Sequence, residues 1–260
     1  MSTLLRMIPS VLMIVSPILI TAIGGMICEK SGVVNIALEG LMGLGACAAA
    51  SAHVLMEATG MGTPSVWLAL AIGAGVGLVF SIIHAVAAIN FNADQTISGT
   101  GINLLADGVT IFVAQILFSA DRTREFRMGM QTDKLGIYPT AYIALVVVIL
   151  AWFVLYKLPF GMHLRACGEH PQAADSVGIN VRKIRYIAVL TSGLLAGLAG
   201  GCIVLTQTIQ YTSNTINGRG FIALAAVSFG RWRPVGVTFA AFLFGTAQAL
   251  SIIAVNFPAL

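Results

Sequence analysis

Thr96, Thr100, Asn103, Asp107 and Thr110 follow one another at intervals of four, three, four and three residues. On a helix that spacing draws a single polar stripe. The stripe carries a carboxylic acid, which costs from about 2.5 kcal/mol upward at the centre of a bilayer, so it must face a polar neighbour or a water-filled path. Two roles are open to it: gluing helices through hydrogen bonds, or lining a route for a polar solute. Gln95 stands just before the stripe. Asn35 and Glu39, four apart and hence on one helical face, are followed by Gly40, Gly43 and Gly45; Glu39 can snorkel, join an ion pair or touch a solute. A third polar group is Gln207, Gln210, Tyr211, Ser213, Asn214 and Asn217, ahead of an apolar run at 221–229. Nine helical residues rise only about 14 Å, half a membrane. Half-helices in membranes aim their N-terminal amides at polar solutes, because irregular backbone is tolerated there only where it lines a cavity. Asn217, Gly220 and Phe221 are candidates on that ground, Phe221 as a stacking face for a ring. The other reading is an external loop folded over the mouth of the protein.

Enzyme chemistry finds no footing. There is no Gly-Lys pair and so no phosphate-binding P-loop, no His-Glu-x-x-His and no Gly-x-Ser-x-Gly. Gly73, Gly75 and Gly77 sit mid-helix with no strand before them. His53 and His84 lack a second ligand at helical spacing and read as packing donors. Cys28, Cys47, Cys167 and Cys202 are widely spaced and signal neither disulfides nor zinc. The expectation is a chain with no cofactor or metal of its own.

The elements that position these residues follow from composition. Of 260 residues, 58% are apolar and 9% charged, with mean hydropathy +0.93, against roughly a quarter charged in soluble domains. The bilayer must be the main solvent, with lipid as the surrounding partner, and the +4 charge reads as loop charge rather than a nucleic-acid footprint. Stretches of about 20 apolar residues predict spans at 4–27, 33–56, 67–89, 95–118, 137–156, 186–206 and 235–257. The first is too long for a signal-peptide core and is read as a retained span. The fold class is all-α: a polytopic membrane protein of seven spans plus a half-helix, one domain over 1–260, with connections at 159–185 and 206–230. Thr63 is expected to cap the third span, and Asn92 with Gln95 the fourth. Gly193, Gly197 and Gly201, and Gly73 and Gly77, recur every four residues, as close helix packing in lipid requires. Arg165, Arg182, Lys183 and Arg185 mark 159–185 as cytoplasmic, which leaves the N-terminus outside and divides Lys and Arg eight to six.

That connection reads PFGMHLRACGEHPQAADSVGINVRK over 159–183. Pro171 can begin a short helix and Gly178 end it, with Ala173, Ala174 and Val177 as a small apolar face. Such a face suits a socket on a partner protein; a plain connection is the alternative. Together with SGVVNIALEG (31–40), ADQTISG (93–99) and GRGFIALAAVSFGRWRPVG (218–236), the segment resembles ATP-binding-cassette importer permeases of the branched-chain amino acid and simple-sugar superfamily. The combination is most similar to the shorter permease subunit of bacterial nucleoside importers. The resemblance implies that Arg165, Gly168, Glu169, Pro171, Ala173, Ala174 and Gly178 form a coupling helix that docks on a cytoplasmic ATPase subunit, which holds the ATP and Mg. It further implies a second permease subunit, an extracytoplasmic solute-binding lipoprotein, residence in the bacterial cytoplasmic membrane and alternating access. Members of that superfamily carry a further hydrophobic segment past the position of Leu260; seven is the count for these 260 residues. Asn35, Gln95, Thr96, Thr100, Asn103, Asn217 and Phe221 are neutral, and the acids Glu39 and Asp107 have no basic residue expected at their depth. That inventory suits uncharged nucleosides, with riboflavin and simple sugars as alternatives. A secondary transporter working without an ATPase is the rival mechanism.

Overall fold

The computed structural model describes residues 2–255 except 135, with side chains from residue 8 to residue 252. Its helices are α1 (Ser2–Lys30), α2 (Leu38–Ala58), α3 (Pro64–Ala85), α4 (Gln95–Phe118), α5 (Pro139–Lys157), α6 (Pro159–Glu169), α7 (Pro171–Ser176), α8 (Val181–Ile203), α9 (Arg219–Phe229) and α10 (Pro234–Val255). Short π-helical turns extend α3 over Val86–Asn90 and α8 over Val204–Thr208. Seven helices are long and apolar enough to cross a bilayer, and α9 is the expected half-helix. The chain is an all-α, multi-pass membrane protein, and among the described residues its one β contact is an isolated bridge between Arg122 and Thr212.

Burial separates an inner from an outer ring. The apolar windows of α1 and α8 are 83% and 72% buried within the protein, against 22% for α4 and α5. Apolarity all around a helix means burial in a soluble protein, but lipid permits it on the outside as well. The outer helices accordingly carry Leu104, Phe112, Leu145 and Ile149 in the open. The inner helices meet at glycines. A Cβ on Gly197 would stand 2.4 Å from the Gly73 carbonyl oxygen, and one on Gly45 would stand 2.4 Å from the Gly197 backbone. The expected four-residue ridges of α3 and α8 therefore face each other, and α2 joins the same junction.

Two expected caps are corrected. Asp94, not Asn92, caps α4, accepting from the amides of Thr96 (2.8 Å) and Ile97 (3.0 Å). Asn92 instead takes a left-handed turn at φ 48°. Thr63 precedes Pro64 but makes no side-chain cap bond.

The connections gather at two ends. At one, α6 rests on the turn after α1: a Cβ on Gly168 would stand 2.2 Å from the Lys30 carbonyl oxygen, and Arg185 Nε donates to the Ser31 carbonyl at 3.1 Å. Trp232 reaches the same end, its indole N–H donating to Glu29. At the other, Glu57 accepts the amide of Met128 at 2.9 Å, and the Thr123 amide donates to the Tyr211 carbonyl at 3.1 Å. Loop and half-helix together thus return the chain, so that Arg231 and Arg233 join the α6–α7 end.

Candidate translocation path

The non-helical residues 31–37 separate α1 from α2, and their backbone groups need partners inside the bilayer. Side chains supply them. The Val34 amide donates to Gln95 Oε1 at 2.7 Å, and His84 Nε2 bonds the Val34 carbonyl at 3.0 Å while its Nδ1 bonds Ser98 Oγ at 3.0 Å. Asn103 Nδ2 donates to the Ile36 carbonyl at 3.0 Å, and its Oδ1 accepts the Gly40 amide at 2.8 Å. Asn35, fully buried, donates to Ser192 Oγ at 2.6 Å and accepts the Ala37 amide at 3.2 Å. Asn35, Gln95 and Asn103, nominated as solute contacts, are therefore occupied in holding backbone. For Asn103 the gluing role is the one the structure realises. His84 is a packing donor, and so is His53, which bonds the Met128 carbonyl.

Glu39 has a different task. Its carboxylate accepts the amides of Gly218 at 2.7 Å and Gly220 at 2.6 Å, which are the first amides of α9. An anion at a helix N-terminus is stabilised by the orphan donors and by the helix dipole. Asn217 (φ 50°) and Gly218 (φ 81°) turn the chain through two successive left-handed residues to aim those amides. A Cβ on Gly220 would stand 2.6 Å from the Glu39 backbone, so only glycine lets α9 approach α2 this closely. The half-helix starts at Arg219, two residues earlier than expected, and a protein carboxylate fills the amide site foreseen for a solute.

Arg219 overturns a second expectation. It is 8% exposed, its Nη1 donates to the Thr215 carbonyl at 3.4 Å, and it lies within electrostatic reach of Glu39. A basic residue does sit at the depth of the acids. Its Nε has no hydrogen-bond partner among the described residues.

Around this clamp lie the remaining candidates. Tyr211 is 2% exposed and interacts with Thr110, Asp107 and Glu39; burial pushes its phenol up, so it remains a neutral hydroxyl. Thr110 is buried beside it, with its own hydroxyl donating to the Asp107 carbonyl at 3.0 Å. Thr96, Thr100, Asp107, Asn217 and Phe221 are exposed, and the Thr100 hydroxyl turns back to the Thr96 carbonyl. Asp107 Oδ atoms make no hydrogen bond among the described residues. The stripe thus divides, with Asn103 and Thr110 turned toward α2 and Thr96, Thr100 and Asp107 on an open face. Sequence reasoning singled out neither Arg219 nor Tyr211 as more than loop; Arg219 following two turn-forming residues at a helix start was the available signal.

At the far end α7 is the short helix expected, with Gly178 turning at φ 85° behind it. Ala173, Val177 and Glu169 are exposed, and Pro171 begins the helix. Ala174 is 3% exposed and lies at the floor of the groove beside α7. Arg165 is engaged with Gly161 and the Tyr156 ring, and Gly168 with Lys30. A groove of about 280 Å³ runs along Glu169, His170, Ala173, Ala174 and Val177. Beside it is a second, about 580 Å³, lined by Gln172, Asp175, Arg182 and Arg185.

Residues 7–260 match the family described as the permease component of branched-chain amino acid transport systems. The chain belongs to that family. The permease is 42% identical to a guanosine ABC transporter permease protein of Bacillus subtilis, across 96% of its own length and 83% of the relative's. It is 36% identical to a nucleoside ABC transporter permease protein of Lactococcus lactis, across 99% and 85%. A putative glucose ABC transporter permease protein of Haloferax volcanii is 33% identical across 90% and 73%. The permease is a transport component of an ABC transporter, not an enzyme, and works with an ATPase and further subunits.

Proposed function

We propose that the permease imports uncharged nucleosides across the bacterial cytoplasmic membrane, paired with a second, different permease subunit. A solute-binding lipoprotein delivers the solute, and the ATPase subunit, holding ATP and Mg, docks on the α6–α7 end. The observation that carries the reading is the similarity, over nearly the whole chain, to two permeases whose names specify guanosine and nucleosides. The open face agrees with it. Phe221 offers a ring for stacking, Asn217 an amide, Thr96 a hydroxyl, Thr100 a hydroxyl oxygen that can accept while its proton is given to the Thr96 carbonyl, and Asp107 an acceptor for base N–H or ribose O–H groups. With Arg219 beside Glu39 those two charges offset each other, and Asp107 leaves the face acidic. A phosphate would meet that carboxylate at low dielectric, so nucleotides are disfavoured.

Alternating access fits the layout: the Glu39 clamp holds one side of the path, and movement of the α6–α7 end tilts the helices around it. The test is uptake by the purified complex in proteoliposomes. Guanosine and adenosine enter with ATP inside, nucleoside monophosphates do not, and Phe221→Ala raises the apparent transport constant for purine nucleosides about fivefold, the worth of one stacking contact. Equal uptake of monophosphates overturns the reading. Competition by glucose as strong as by guanosine would favour the sugar alternative, which the Haloferax relative supports.

A further inference from the structure

Residues 29–39 touch three elements in turn, α6, α8 and α9. The carbonyl of Lys30 is where α6 rests on α1, at the position where Gly168 has no room for a Cβ. The Ser31 carbonyl accepts from Arg185 at the start of α8. Glu29 accepts the Trp232 indole N–H beyond the C-terminal end of α9, and Glu39 accepts the Gly218 and Gly220 amides at its N-terminal end. The half-helix is thus gripped at both ends by carboxylates from this one segment. Between the grips the chain is not slack: Val34 and Ile36 are bonded to α3 and α4, and Asn35 to α8.

The turn behind α9 points the same way. Arg231 and Trp232 hold successive left-handed conformations, φ 52° and 53°, which side chains other than glycine rarely adopt. A strained turn persists only where its surroundings fix it. The Glu29 bond to Trp232 is a specific contact that does so, and a charged acceptor makes it a strong one.

We propose that residues 29–39 are the link that carries displacement of the coupling helices to α9, with Glu29–Trp232 and Glu39–Gly218/Gly220 as its two fastenings. Force applied at α6 enters through Lys30 and leaves through the two carboxylates, so α9 moves with the α6–α7 end as one body. Glu29, Trp232 and Glu39 are positioning residues in this scheme. The inference rests on the importer reading above.

The experiment measures ATP hydrolysed per nucleoside imported by the reconstituted complex. Trp232→Phe keeps the ring and removes the donor; Glu29→Ala removes the acceptor. Each is expected to raise the ratio about fivefold or more, the loss of one charge-assisted hydrogen bond, while hydrolysis itself continues. The double variant is no worse than either single one, because both remove the same contact. Glu29→Gln retains an acceptor oxygen and restores a ratio near that of the unaltered complex. Glu39→Gln, with one carbonyl oxygen for two amides, shifts the ratio in the same direction as Trp232→Phe. A merely structural role would lower transport and hydrolysis in parallel and leave the ratio alone. An unchanged ratio in Trp232→Phe and Glu29→Ala overturns the link. Failure of the unaltered complex to import any nucleoside overturns the importer reading instead.

Discussion

Replacing Gly220 by alanine tests the clamp at the mouth of the half-helix. The added Cβ would stand 2.6 Å from both the amide nitrogen and Cα of Glu39, and 2.8 Å from its Oε2. Two of those atoms are backbone, so a rotamer change cannot relieve the clash. Moving from 2.6 Å to the 3.4 Å of ordinary contact needs α9 to retreat by about 0.8 Å. That retreat stretches the bonds to Gly218 and Gly220, now 2.7 and 2.6 Å, beyond the normal range. Two hydrogen bonds to a charged group at about 1.5 kcal/mol each amount to roughly 3 kcal/mol, or a fall in melting temperature of about 6–12 °C for a chain of this size. The assay is thermal unfolding of the purified permease in nanodiscs, with transport by the reconstituted complex alongside. Gly75→Ala is the control, since nothing lies within 4 Å of its Cβ position. If Gly220→Ala melts and transports as the unaltered protein does, the carboxylate clamp is not what holds α9 against α2.

Further substitutions separate holding from transporting. Gly197→Ala forces its Cβ onto the Gly73 carbonyl at 2.4 Å and should abolish accumulation of folded protein, read as loss of the monodisperse peak on gel filtration. Asn103→Ala leaves the Gly40 amide and Ile36 carbonyl without partners and should lower the melting temperature by about 4–8 °C for roughly 2 kcal/mol. Asp107→Asn breaks no hydrogen bond and should leave the melting temperature in place while reducing nucleoside uptake about tenfold; equal effects of the two variants on stability would refute the division of the stripe. Ala173→Arg, on the exposed side of α7, should uncouple solute-stimulated ATP hydrolysis while the permease still folds, whereas Ala174→Arg, at the buried floor of the same groove, should lower the melting temperature as well.

Spans were legible because bilayer thickness fixes their length: every predicted stretch overlaps a helix, and the half-helix was visible as a run too short to cross. Glycine spacing showed which faces of α3 and α8 pack closely, though not that α2 would join them. The fate of the polar residues was not legible. Ser31 and Gly32 mark a break after α1, but 33–37 reads as the start of the second span, and nothing there announces that the helix begins only at Leu38. With that stretch outside the helix, its amides and carbonyls compete for every nearby side chain, and Gln95 and Asn103 go to them. Ala174 illustrates a second limit. In a one-and-a-half-turn helix the small apolar residues point both ways, and only the position of α6 and α8 decides which of Ala173 and Ala174 is covered.

Irregular backbone within a membrane protein sets a strict account of donors and acceptors, and that account shows which polar side chains are already committed to the fold. Asn35, His84, Gln95 and Asn103 are committed to residues 31–40; Glu39 is committed to the start of α9, and Thr100 and Thr110 to their own helix. Asp107 is left, a carboxylate without a hydrogen bond among the described residues, on a helix whose other exposed positions are largely leucine, isoleucine and phenylalanine. Facing lipid, such a group would work against insertion of α4; facing water, it is cheap. On the proposed import reading, the polar side of α4 borders an aqueous space. In that reading the space passes the start of the half-helix, because Asn217 and Phe221 flank the same Glu39 clamp that lies near Asp107, and a change in the tilt of α9 would widen or narrow it.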